Sequence, residues 1–186
     1  IALTPGIDME FSRLIDELLN HRPRAEIDTP DGWTQGRTAY GGLTGALVLA
    51  AGHHAHEDLP PLRTIQINFV GPASGRLKVS SELLRRGKNT GTIEAQLTGD
   101  DALAGRAIFT FGINRDMALQ AHYPRRDDVS APEQLPTLAW NDRVPVFIKH
   151  FEARALKLSM PMTGAAEAHN LICFRPKAEH ARDGIV

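Results

Sequence analysis

Apolar residues recur along the chain with two periods, and the change between them divides it. Phe11, Leu14, Ile15, Leu18 and Leu19 fall at i, i+3, i+4, i+7 and i+8, with Glu10, Arg13 and Asp16 facing water. They predict a short amphipathic helix that Asp8 can cap. Residues 22–36 are rich in Pro, Asp and Gly and predict a loop, with a brief extended piece at 25–27 and Trp33 as an anchor beneath it. A second helical pattern opens at Gly41 and Gly42 and runs through Leu43, Ala46, Leu47, Ala50 and Ala51 to a cluster of His53, His54, His56 and Glu57. Pro60 and Pro61 stop it, and its small residues permit close packing.

The period then falls to two. Ile65, Ile67 and Phe69 alternate with Thr64, Gln66 and Asn68, which predicts a half-buried strand ending at Gly71 and Pro72. Two more strands are predicted at 77–85 and 90–98, joined by a hairpin turn at Gly87, Lys88 and Asn89, with Ile93, Ala95 and Leu97 inward. After a turn at Gly99, Asp100 and Asp101, a fourth strand at 103–111 places Ala107, Phe109 and Phe111 on one face. Residues 114–141 keep no period and carry Pro124, Pro132 and Pro136, the pattern of a surface connection. Beyond it, 144–156 and 166–174 predict two long strands separated by a loop from Met160 to Gly164. With no helix to cover them, that second half is expected to be completed by a partner or a further segment.

Composition narrows the class. A chain of 186 residues that is 42% hydrophobic can bury a full core. Lys and Arg number 21 against 22 Asp and Glu, so a formal charge of -1 gives no field to recruit nucleic acid or an anionic membrane. The least charged stretch, 40–52, is too short to span a bilayer. Cys173 is the one cysteine, which excludes an internal disulfide and a multi-cysteine zinc site and makes a reducing, cytoplasmic location the expectation. The first residues lack both a secretory pattern and a Met, so the chain is expected to begin inside a longer product.

Several constellations invite chemistry. The His53, His54, His56, Glu57 and Asp58 cluster could ligate a metal, but a histidine cluster at a helix C-terminus is more often a solvated end favoured by the dipole. His169 and Cys173 share a face if they lie on a strand, although a buried structural cysteine is the commoner outcome. Ser74 lacks the G-x-S-x-G spacing and reads as a turn serine. No G-x-G-x-x-G or P-loop supports nucleotide chemistry, and no cofactor or metal is expected.

The residues Gly36-Arg37-Thr38-Ala39-Tyr40-Gly41-Gly42, the small-residue helix after them, Ile67-Asn68-Phe69-Val70-Gly71-Pro72 and Leu83-Leu84-Arg85-Arg86-Gly87-Lys88-Asn89 resemble the first repeat of a double-hotdog acyl-CoA thioesterase of the thioesterase II type. The resemblance covers about 22–112, and 151–174 more loosely resembles the opening strands of the second repeat. It implies an α+β hotdog fold: a helix at 1–21, a first repeat at 22–113, a linker at 114–143, and an incomplete second repeat from 144 to 186. It also implies cleavage of an acyl-CoA to free acid and CoA.

A thioester carbonyl needs a donor for its developing oxyanion, and the first free N–H groups of a helix supply one together with the positive end of the dipole. Gly42 is therefore the candidate catalytic residue, as a backbone oxyanion donor, with Tyr40, Gly41, Asn68, Arg85 and Lys88 as candidate substrate contacts. Gly41 and Gly42 would let a ligand approach, or equally would only allow the helix to pack tightly. Arg85, Arg86 and Lys88 could meet CoA phosphates, with solvated turn charge as the commoner role. The resemblance places the water-orienting carboxylate in the second repeat, after Val186; Asp183 falls before that repeat's helix, so the acid/base residue is expected outside the chain. The alternatives are a module that holds an acyl ligand without turnover, and a hotdog hydratase, whose Asp and His motif is not found. An open edge strand makes a homo-oligomer the expectation.

Overall fold

The computed structural model describes residues 11–20, 24–53, 56, 58–116, 130–141, 144–159, 163–167 and 169–178. The expectations at Asp8, Glu10, His54, Glu57, Pro124, Met160 and Asp183 lie outside these residues. Helix α1, Phe11–Asn20, precedes strand β1, Arg24–Asp28, the two-residue strands β2, Thr34–Gln35, and β3, Thr38–Ala39, and helix α2, Gly41–His53. Four long strands follow: β4, Leu62–Phe69; β5, Arg76–Arg86; β6, Thr90–Gly99; and β7, Ala102–Gly112. A hairpin of β8, Phe151–Lys157, and β9, Leu171–Pro176, comes last.

The antiparallel sheet has the order β1-β5-β6-β7-β4, and α2 lies across one face of it. That face is built by the period-two residues: Leu77 and Val79 of β5, Ile93, Ala95 and Leu97 of β6, and Ala107, Phe109 and Phe111 of β7 are all buried. Against them α2 buries Leu43, Leu47, Val48 and Ala50, and α1 adds Leu14 and Ile15. Each such large side chain contributes roughly 1.5–3 kcal/mol over exposure. A Cβ on Gly52 would stand 2.6 Å from the Phe109 ring, so glycine is what permits the end of α2 to approach β7. Trp33 is buried beneath its loop, as its size predicts. At the β6–β7 turn Asp100 and Asp101 take φ of 47° and 66°, a left-handed conformation that Asp tolerates. Asp100 there accepts the Arg76 backbone N–H at 3.2 Å.

Three expectations change. Strand β4 is not half-buried: Ile65 is 37% and Phe69 62% exposed, because β4 is a sheet edge and α2 packs chiefly over β5 and β6. Residues 144–156 are not one strand. After Pro145 the chain makes a 3-10 turn, Val146–His150, and only then enters β8, because the rings of Phe147 and His150 dock on Tyr40 and Trp33. The last strand is shorter than 166–174 and shifted, since Asn170 instead uses its side chain to accept the Ser159 N–H at 2.6 Å. Residues 132–138 fold against β8, where Leu138 N–H donates to Ala153 at 2.8 Å and Leu135 is buried.

Candidate active site

The start of α2 is fixed from both sides before any side chain acts. Ala39 N–H donates to Ala73 O at 2.7 Å and Tyr40 N–H to Trp33 O at 2.8 Å, so two loops hold the residue before the helix. The Tyr40 carbonyl then accepts the Thr44 N–H at 3.1 Å, the first helical bond. This leaves the amides of Gly41, Gly42 and Leu43 with no backbone acceptor among the described residues. The helix has 13 residues, and its dipole adds partial positive charge at these amides.

Two aromatic rings flank them. A Cβ on Gly42 would sit 2.3 Å from Tyr40 Cε1 and 2.7 Å from its hydroxyl, distances that only glycine tolerates. On Gly41 the same atom would meet the Phe69 ring at an ordinary 3.6 Å. Gly42 is exposed, so a ligand can reach its amide. The far face of Tyr40 stacks on Phe147, with centroids 3.8 Å apart and planes 5° from parallel. Phe151 meets Tyr40 edge-on at 6.3 Å. Among the described residues no carboxylate, histidine or thiol hydrogen-bonds to residues 40–43.

Tyr40, Gly41 and Gly42 thus come together, while Asn68, Arg85 and Lys88 stand elsewhere. Asn68 alternates with Ile67 and Phe69, so its side chain is on the sheet face opposite α2; Phe69 holds the place beside Gly41. The β5–β6 hairpin carrying Arg85 and Lys88 ends where Thr90 pairs with Gly112 and Arg63 Nε donates to the Gly112 carbonyl at 2.8 Å. That is the Leu62 end of β4, near the finish of α2, where the His53 and Phe111 rings lie 6.1 Å apart. Phe69 was legible from the two-residue phase of β4. Phe147 had no comparable signal beyond the Pro145 that precedes its turn.

A carboxylate tuned by its hydrogen-bond partners lies outside this site. Glu94, on the outer sheet face, is held below the usual carboxylate range by a hydrogen bond from Arg106, and then by one from Gln96. Among the described residues no group of three His, Cys, Asp or Glu side chains could hold a metal ion, and no helix is long and apolar enough to cross a membrane.

One long helix laid across a five-stranded antiparallel sheet, with its free amides at one sheet end, is the hotdog fold. Residues 29–112 match the family described as the acyl-CoA thioesterase N-terminal domain. No curated protein sequence matches the chain. Among solved structures, a hotdog protein of unknown function from Alicyclobacillus acidocaldarius is 18% identical with a TM-score of 0.66, covering 78% of this chain and 56% of its own. The tesB protein of Mycobacterium avium subspecies paratuberculosis is 14% identical with a TM-score of 0.66, covering 91% and 62%. An acyl-CoA thioesterase II of Mycobacterium marinum is 14% identical with a TM-score of 0.61, covering 88% and 60%. The chain therefore spans less than two thirds of each of these structures.

Proposed function

We propose that this protein acts in the hydrolysis of acyl-CoA thioesters, with the amide of Gly42 as oxyanion donor. The observation that carries the reading is the row of three free amides at Gly41, Gly42 and Leu43, with the exposed Gly42 among them, in a segment that matches a thioesterase domain. Such donors already face the position where charge develops, so they stabilise the transition state without reorganising. Water attacks the thioester carbon, the carbonyl electrons move onto oxygen against the amides, and collapse expels the CoA thiolate, which takes a proton. A carboxylate of a second hotdog unit, of the double-hotdog type that the sequence resembles, is proposed to orient that water.

Pairing with a second unit also accounts for the hairpin cations. Strand β4 is an open edge with Ile65 and Phe69 uncovered. Antiparallel pairing of two such edges would bring the Phe69 end of one beside the Leu62 end of the other. The neighbour's Arg85 and Lys88 would then lie on the side of the Gly42 mouth, where CoA phosphates would extend. A homo-oligomer in a cytoplasmic setting is the corresponding proposal.

That no carboxylate hydrogen-bonds to residues 40–43 among the described residues favours a second reading, an acyl-CoA binding module without turnover. Thiol release from a chain-length panel of acyl-CoAs by the intact protein separates the two. Release above background that falls at least tenfold in Gly42→Ala supports hydrolysis. Saturable CoA-ester binding with no release supports the binding module and removes the hydrolase reading.

A further inference from the structure

Tyr40 occupies the N-cap position of α2, where Ser, Thr, Asp or Asn would normally accept an amide hydrogen bond. A phenol there caps nothing, and its hydroxyl has no recorded partner among the described residues. The ring is nevertheless fixed. Phe147 covers one face at 3.8 Å and 5°, Phe151 meets it edge-on at 77°, and the Tyr40 hydroxyl is held 2.7 Å from the position of a Gly42 Cβ. Its placement puts a fourth donor next to the three amides of Gly41, Gly42 and Leu43. The Tyr40–Phe147 rings lie nearly face to face, closer than the offset arrangement a neutral aromatic pair prefers, so the surrounding chain presses them together; both supporting rings come from a turn and strand that follow the hotdog sheet in sequence.

We propose that Phe147 is a positioning residue that holds the Tyr40 hydroxyl against the start of α2 as an additional donor to the ligand carbonyl. The proposal rests on the reading of the Gly42 amide as an oxyanion donor. It assigns to the segment after the hotdog sheet a part in building the mouth of that sheet's own helix. Phe147 touches no ligand; it acts by removing the rotational freedom of Tyr40, so that the hydroxyl is in place before the transition state forms.

The test uses the intact protein and the variants Tyr40→Phe, Phe147→Leu, Phe147→Tyr and the double variant Tyr40→Phe/Phe147→Leu. Acyl-CoA turnover is expected to show kcat reduced about tenfold in Tyr40→Phe with KM changed less than twofold, the size expected for the net loss of one neutral hydrogen bond. Phe147→Leu is expected to give a similar loss, and Phe147→Tyr, which preserves the stack, to restore most of it. The double variant is expected to be no slower than Tyr40→Phe alone, because Phe147 acts through the hydroxyl. Equal additional loss from Phe147→Leu in the Tyr40→Phe background would overturn the proposal, as would wild-type kcat in Phe147→Leu. If the wild type releases no thiol, the hydrolase reading fails separately, and the Gly42 amide resonance then decides. A shift in Phe147→Leu that Phe147→Tyr reverses supports the positioning role, and an unmoved resonance overturns it.

Discussion

Trp33 and His150 stack 4.0 Å apart and within 2° of parallel, although they belong to the loop before β2 and the turn before β8. His150 Nε2 also lies 2.9 Å from the Gly32 carbonyl, 118 positions away in the chain. Together with the Tyr40–Phe147 stack, this contact ties the segment after the connection to the loop that presents α2. Trp33→Ala is expected to cost about 3–5 kcal/mol, as for a large buried aromatic. His150→Ala is expected to cost about 1 kcal/mol, the scale of one aromatic pair. Urea unfolding followed by far-UV circular dichroism measures both.

Gly42→Ala drives a methyl group into the Tyr40 ring, whereas Gly41→Ala meets only an ordinary contact with Phe69. The first substitution is expected to lower thioester turnover at least tenfold, the second to change the unfolding free energy by less than about 1 kcal/mol. In a Tyr40→Ala background the clash is gone, so Gly42→Ala should add little further loss of stability. A thermodynamic cycle of these variants by urea denaturation checks the coupling.

Glu94 is buried on the outer face of the sheet and ion-paired with Arg106, and Gln96 Nε2 donates to it at 2.7 Å. Its folded pKa lies below the unfolded value, so the folded state binds fewer protons at mildly acid pH. The stabilisation is therefore complete above the ordinary carboxylate range, near 4.3, and is lost as pH falls through the lower folded value. Glu94→Gln is expected to cost about 1 kcal/mol at pH 7 and to flatten the acid limb of the stability curve. Urea midpoints taken across pH 7 to 3 measure it.

Phe69 and Ile65 stand uncovered on the free edge of the sheet. A charge at either position is expected to block edge pairing while leaving the core intact, since neither side chain is part of it. Phe69→Asp and Ile65→Lys should therefore shift the protein toward monomer in light scattering coupled to size exclusion, with the melting temperature of the monomer changed by only a few degrees. Unchanged association in both variants would remove β4 as the pairing edge.

Much of the sheet was legible from period alone. Ile93, Ala95 and Leu97, and likewise Ala107, Phe109 and Phe111, alternate strictly, and one inward face follows from that alternation whatever the strands pair with. The same holds for Leu14 and Ile15 on α1, whose 3.6-residue spacing marks the buried stripe. Both are local rules, satisfied by a strand or helix before it meets its neighbours. The Tyr40-Gly41-Gly42 step at the start of α2 was local in the same sense.

Strand order was not local, and it decided the rest. Ile65 and Phe69 keep the alternating phase of a half-covered strand, but exposure depends on where β4 falls in the sheet and which strands α2 covers. Arg85 and Lys88 read as candidate contacts for CoA phosphates, and only the register shows that their hairpin lies at the sheet end away from Gly42. Phe147 lies in a stretch that reads as strand, and it turns instead because its ring finds Tyr40 in the folded protein. Which faces are apolar and where the helix begins follow from backbone periodicity and can be read along the chain. Which rings close on that beginning follows from folding alone, because stacking and burial there are made between segments far apart in the chain.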